Sequence, residues 1–174
     1  MDVREKLREG NRRYRETADA ARRIDTAENG QHPYAIVVCC SDSRVIPERI
    51  FQADIGDLFV IRVAGNVLDR HQLGSVEYAA GHLHCRYVVV LGHTGCGAVH
   101  AALTGGGEGY IASVTDEILA AVGTERDEGA ACRLNVRHAV NRLKRAFAGQ
   151  PEMEDVAVEG AIYDIRTGNV RWLA

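Results

Sequence analysis

The sequence lacks the features that would place it in several specialised classes of protein. No apolar run among its 174 residues approaches the ~18 needed to cross a bilayer, and no signal-peptide core precedes a cleavage site. The net charge is −3, so no basic face is available to hold nucleic acid over a long footprint. We therefore expect neither a membrane nor a nucleic acid as a partner.

The cysteines lack the pattern of a disulfide framework. There are five of them, an odd number, and their spacing is not that of a small disulfide-rich domain. This usage indicates reduced thiols and predicts a cytoplasmic location, where cysteines serve more naturally as metal ligands or catalytic groups. The chain length fits a single domain, which we predict to span residues 1–174.

What the sequence does contain is an alternation of apolar runs and helical patterns. The third run is the most apolar, which predicts a central strand of a parallel sheet, and a Thr-Gly-Asn turn near the end predicts a hairpin. We predict an α/β fold with a mostly parallel central β-sheet flanked by helices, in which the C-terminal hairpin adds an antiparallel edge strand. The three predicted parallel strands are residues 34–40, 57–65 and 86–92, and a long helix is predicted at 130–147.

Two further segments have a composition that needs interpretation. Arginines in the first 24 residues are interleaved with Asp and Glu, which predicts an amphipathic N-terminal helix over about residues 1–24 rather than a transit peptide. The glycine-rich run 104–109 follows a predicted helix and lacks a Gly-Lys-Ser/Thr ending. We therefore predict a flexible connector there, not a phosphate-binding loop.

Metal-ligating residues follow two of the predicted strands. Cys40 ends the run 34–40, while His93 and Cys96 follow 86–92 in H-x-x-C spacing. If the two strands are neighbours, the three side chains meet at one sheet edge, where ligands bind in open α/β sheets. Two thiolates and an imidazole without a fourth protein ligand suit a catalytic Zn²⁺ with an open position.

The alternative is that these cysteines only fill the core, because cysteine is among the most buried residue types and H-x-x-C alone is a weak motif. Cys39 is expected to point away from Cys40, since side chains alternate along a strand. We assign Cys85 and Cys132 to the core or to a helix face. At this point the residues favour the zinc site without excluding buried thiols.

Longer motifs around these residues resemble one family. "CSDSR" at 40–44 followed by "HTGC" at 93–96 is similar to the signature pair of the β-class carbonic anhydrases. The segments "RVIPERIF", "GDLFVIRVAGNV" and "GSVEYA" match as well. The resemblance is continuous from about Gln31 to Leu103 and returns near the C-terminus in "YDIRTG".

This resemblance implies a function and a set of site residues. The function is the reversible hydration of carbon dioxide to bicarbonate and a proton, through attack by zinc-bound hydroxide, with one Zn²⁺ per chain. The implied zinc ligands are Cys40, His93 and Cys96, and the implied catalytic pair is Asp42 and Arg44. The positions that correspond to the family's substrate site are Gln31, Phe59, Tyr78 and Gly97.

The resemblance also implies an assembly, and some alternatives stay open. A homodimer, or a tetramer, is expected because the family builds its pocket across a subunit interface, and the N-terminal helix then packs on the partner. His82 and His100 are candidates to carry the proton to buffer, since imidazole titrates near neutrality. The alternative functions are hydrolysis of carbon disulfide or carbonyl sulfide at the same site, or a non-catalytic zinc module for assembly.

Overall fold

Two short helices begin the chain in the computed structural model, which describes residues 2–173. Helix α1 spans Val3–Thr17 and α2 spans Ala20–Asn29. The single helix predicted for about residues 1–24 is therefore wrong. The backbone of Ala18 is extended (ψ 152°), and the Asp19 carboxylate accepts the amide N–H groups of Ala21 and Arg22, which starts a new helix.

These two helices belong to a first compact unit that ends at Gln31, and a second unit begins at His32. Neither helix contains a buried residue. Val3, Leu7 and Tyr14 lie on one face of α1 and are 77%, 70% and 45% exposed. An amphipathic helix normally buries such a face, so this stripe is available for a packing partner.

The second unit is built on a five-stranded sheet with the strand order β2-β1-β3-β4-β5. The first four strands in this order are parallel, and β5 pairs with β4 antiparallel. The predicted α/β class, the central position of the third strand and the antiparallel edge strand are thus confirmed. The strands are β1 (Ala35–Cys39), β2 (Leu58–Arg62), β3 (Tyr87–His93), β4 (Ala157–Tyr163) and β5 (Val170–Leu173).

The remaining helices pack mainly on one side of this sheet. They are α3 (Pro47–Ile50), α4 (Arg70–His82), α5 (Gly97–Thr104), α6 (Ala112–Val122) and α7 (Glu128–Phe147), with short 3₁₀ segments at Ala64–Asn66, Gly109–Ile111 and Pro151–Met153. Residues of α4 to α7 join the larger buried apolar cluster, whereas a smaller cluster occupies the other side. The predicted long helix at 130–147 is confirmed as α7. No helix within residues 2–173 combines the length and apolar character that a bilayer crossing requires.

The alternation of side chains separates the adjacent cysteines. Cys39 lies in the smaller cluster with Val37, and Cys40 lies in the larger cluster. Burial raises the pKa of the Cys39 thiol to about 12, so this thiol stays protonated at neutral pH. Cys85 and Cys132 are buried in the larger cluster, in agreement with their assignment to the core.

Candidate metal centre

The three predicted ligand residues lie at the carboxyl ends of two paired strands. Cys40 directly follows β1, His93 is the last residue of β3, and Cys96 is the N-cap of α5. Because β1 and β3 are parallel neighbours, with Cys39 opposite Leu91, both ends reach the same edge of the sheet. The three residues are 5%, 1% and 2% exposed.

The geometry of these side chains fits a zinc ion. The sulfur atoms of Cys40 and Cys96 are 4.0 Å apart, and the three ligand atoms lie within 4.8 Å of one another. Two sulfurs bound at about 2.3 Å to a tetrahedral Zn²⁺ are separated by about 3.8 Å. Nδ1 of His93 lies 3.0 Å from the carbonyl oxygen of Thr94, while its buried Nε2 has no hydrogen-bond partner within residues 2–173. A ring held in this way presents Nε2 as a metal ligand.

Hydrogen bonds concentrate negative charge on Cys40. Its sulfur interacts with the Cys96 thiol and accepts the backbone N–H groups of Gly65 (3.2 Å) and Asp42 (3.4 Å). The bond with Cys96, followed by the neighbouring His93 ring and by these amides, lowers the pKa of Cys40 well below its usual value, and the same bond raises the pKa of Cys96. The pair thus shares one proton, which a cation between the two sulfurs would displace.

A carboxylate and a guanidinium lie beside this cluster. Nε and Nη2 of Arg44 donate to the two carboxylate oxygens of Asp42 at 2.9 and 2.7 Å, and Nη2 also donates to the carbonyl oxygen of Gly95 at 3.2 Å. The bond from the Arg44 side chain holds the pKa of Asp42 well below its usual range. Oδ2 of Asp42 is 3.9 Å from Nε2 of His93. An ionised, oriented acceptor therefore borders the ligand atoms.

Arg62 also contributes to this site, and sequence reasoning missed this contribution. At the end of β2, its Nε donates to the carbonyl oxygen of Cys40 (3.3 Å) and its Nη2 to that of Asp42 (2.7 Å). These bonds fix the backbone of the loop that carries the acceptor. The contact follows from the register of the sheet, which pairs Cys39 with Arg62. A single sequence does not reveal this register, so it contains no signal for the contact.

The structure brings three of the remaining predicted residues together. The rings of Phe59 and Tyr78 have their centroids 6.3 Å apart, and those of Tyr78 and His82 are 5.2 Å apart. Phe59 packs against the larger apolar cluster, while Tyr78 is 49% exposed. These residues form an aromatic group on β2 and α4 with one side open.

Gly97, His100 and Gln31 lie elsewhere. Gly97 is the first residue of α5, directly after Cys96. His100, one turn further along, is exposed, with Nδ1 3.9 Å from a carboxylate oxygen of Glu128. Gln31 is the last residue of the first unit, so its role stays a prediction.

Gly65, which donates to Cys40, has a conformation that only glycine adopts readily. Its φ is +66°, and an added Cβ would lie 2.8 Å from Cδ1 of Ile118. We expect Gly65→Ala to lower the free energy of unfolding by about 1–3 kcal/mol, as measured by urea denaturation. Gly81→Ala is the control, because Gly81 lies in α4 with nothing within 4 Å of such a Cβ. Equal stability of the two variants would contradict this prediction.

Together, the fold and the site define an α/β protein with a buried Cys-His-Cys cluster that could bind a metal ion and a charged pair beside it. A sequence model of the carbonic anhydrase family matches residues 35–170, which is most of the chain. The chain therefore belongs to the carbonic anhydrase family, in its β class.

Individual relatives agree with this membership. The carbonic anhydrase of Pseudomonas aeruginosa is 34% identical over 169 residues, which cover 80% of this chain and 73% of that protein. Carbonic anhydrase 2 of Mycobacterium tuberculosis is 44% identical over 105 residues, which cover 58% of this chain and 51% of the relative. The chain thus spans about half the length of that relative.

Solved structures show the same fold. The β-carbonic anhydrase CafA of the fungal pathogen Aspergillus fumigatus superposes with a TM-score of 0.84 at 29% identity, covering 99% of this chain and 91% of that one. The β-carbonic anhydrase CcaA gives 0.80 at 28% identity, with 98% and 91% coverage. The comparisons do not favour the hydrolase of carbon disulfide or carbonyl sulfide, nor the non-catalytic zinc module.

Proposed function

We propose that this chain catalyses the reversible hydration of carbon dioxide to bicarbonate and a proton, with one Zn²⁺ bound by Cys40, His93 and Cys96. The observation that carries the proposal is the Asp42 carboxylate, held by two hydrogen bonds from Arg44 with Oδ2 3.9 Å from Nε2 of His93. A site that only stabilised the fold would need no ionised acceptor at its edge.

The reaction needs a strong oxygen nucleophile at neutral pH. Zn²⁺ held by Cys40, His93 and Cys96 would supply it by lowering the pKa of a coordinated water to roughly 7. The residues of the chain then have to orient this nucleophile. Asp42 is ionised and acceptor-only, so its free lone pairs would accept a hydrogen bond from this nucleophile and would orient it towards the carbon of the substrate.

Arg44 has a separate task in this proposal. Its two bonds to Asp42 keep the carboxylate ionised and turned in one direction, and its bond to the Gly95 carbonyl ties the Asp42 loop to the H-x-x-C loop. Because Arg44 donates a hydrogen bond to each carboxylate oxygen of Asp42, it also keeps this carboxylate from becoming a metal ligand itself. Arg44 is therefore a positioning residue.

The substrate is small and apolar, and the proposal assigns its contacts to the remaining predicted residues. Phe59 and Tyr78 provide apolar walls, the backbone N–H of Gly97 faces the substrate, and Gln31 donates a hydrogen bond to it. The candidates to carry the released proton to buffer are His82, whose ring lies against Tyr78, and the exposed His100.

Stopped-flow measurement of carbon dioxide hydration tests the proposed function. We expect the zinc-loaded protein to accelerate hydration, to lose this activity when a chelator removes the metal, and to regain it when zinc is returned. Carbonyl sulfide and carbon disulfide, assayed in parallel, are expected to react far more slowly. Protein with one zinc per chain that does not accelerate hydration would overturn the proposal.

We further propose that the working unit is a homodimer, or a tetramer, located in the cytoplasm. The exposed apolar stripe of α1 supports an assembly through this helix, and the five free, buried cysteines are compatible with a reducing compartment.

We expect sedimentation velocity to show a dimer or larger species, and Leu7→Glu to shift it towards the monomer. Arg13→Glu, an exposed change on the same helix that leaves the stripe intact, is the control. An active monomer of the unaltered protein at assay concentration would refute this prediction.

A further inference from the structure

Helix α7 packs against strands β3 and β4 of the sheet. Val136 packs against Gly92 of β3 and Gly160 of β4, two residues without side chains on adjacent strands. A Cβ on Gly160 would lie 2.8 Å from Cγ1 of Val136, and one on Gly92 would clash with Cγ2 of the same valine. The two glycines therefore let α7 approach the strand that ends in the ligand His93.

The residue before Val136 is a polar side chain inside the core. Asn135 is 2% exposed, and its Nδ2 donates a hydrogen bond of 2.7 Å to the carbonyl oxygen of Gly65. Burying an amide among apolar residues costs free energy unless the amide is hydrogen-bonded. If α7 served only to pack against the sheet, an apolar residue at position 135 would avoid this cost. The bond links α7 to the loop beyond β2.

Gly65 in turn contacts a metal ligand. Its backbone N–H donates to the sulfur of Cys40 at 3.2 Å, and the side chains of Ile118 and Ala98 lie where a Cβ on this residue would be. The carbonyl and the amide of this one residue thus connect Asn135 to Cys40. Ligand thiolates bind their metal in an orientation and with a donor strength that such hydrogen bonds determine.

We infer that Asn135 is a positioning residue for the metal ligand Cys40 and acts through the backbone of Gly65. By fixing the Gly65 carbonyl, Asn135 keeps the N–H of the same residue on the Cys40 sulfur. This hydrogen bond withdraws negative charge from the thiolate and restricts the orientation of the Cys40 side chain. The inference rests on the proposed metal site at Cys40, His93 and Cys96. It adds a contribution from α7, which supplies no ligand to that site.

The test uses Asn135→Ala and Asn135→Leu in the full chain. Both variants remove the hydrogen-bond donor. The alanine variant adds no bulk, so it can be measured even if the leucine variant fails to fold. Leu143→Ala is the control, because Leu143 is fully buried two turns further along α7 and its loss weakens the core without touching Gly65. Each protein is loaded with Co²⁺ to record its sulfur-to-cobalt charge-transfer band, and zinc affinity is measured by competition with a chelator.

We expect both Asn135 variants to shift the charge-transfer band to longer wavelength, because a thiolate without its N–H donor holds its electrons less tightly. Zinc should bind about 10–100-fold more weakly. Leu143→Ala should lower the melting temperature but leave the band in place. An unchanged band in the Asn135 variants, or an equal shift in Leu143→Ala, would overturn the inference. If the unaltered protein shows no cobalt–thiolate band, the metal site itself is wrong, which is a distinguishable failure.

Discussion

Replacing Cys40 or Cys96 by serine is expected to remove most of the bound zinc. A serine hydroxyl stays protonated near neutral pH, so each variant offers the cation one thiolate and one imidazole instead of two thiolates and one imidazole. Elemental analysis of the purified proteins should give one zinc per chain in the unaltered protein and a small fraction of that in either variant. Carbon dioxide hydration should fall in the same proportion.

Cys39→Ser is the matched control for this experiment. Cys39 precedes Cys40 in the chain and is equally buried, but it lies in the apolar cluster on the other side of the sheet. The added hydroxyl should lower stability by about 1–3 kcal/mol while zinc is retained. If both ligand variants kept a full zinc content, the assignment of the metal ligands would be wrong.

Asp42→Asn is expected to keep its zinc and to lose hydration activity by a factor of about 100 to 10,000. The amide has nearly the shape of the carboxylate, but only one of its two terminal atoms accepts a hydrogen bond, and its NH₂ group opposes the Arg44 guanidinium. Stopped-flow turnover, with zinc measured on the same samples, separates a lost acceptor from a lost metal.

Asp69→Asn provides the control for charge removal. Asp69 caps α4 by accepting the N–H of His71 at 2.7 Å, and asparagine caps helices about equally well. This variant should keep both zinc and turnover. Near-normal turnover in Asp42→Asn would show that the carboxylate is dispensable and would remove the main support for the proposed mechanism.

Much of the fold was predictable because local patterns determine it. After Arg86, the run 86–92 has no charged residue and is rich in valine, which is typical of a strand buried on both faces, and the structure places this run as β3 at the centre of the sheet. The amphipathic period of 130–147 predicted α7. The break at Ala18 was missed, because Asp19 lies in an arginine-rich helical pattern and looks in the sequence like another exposed charge. Only the structure shows that its carboxylate caps a new helix.

The sequence by itself determined which residues are available at the site, because the ligand types and their spacing belong to short motifs at two strand ends. Only the tertiary structure decided which of these residues meet and what supports them. Cys40 and Cys96 are 56 positions apart and reach 4.0 Å because β1 and β3 pair in register. The contacts of Arg62 and Asn135 are also non-local, since these bonds go to backbone carbonyls 20 and 70 positions away in the sequence. A backbone carbonyl is the same in every residue, so no side-chain pattern indicates which one is chosen.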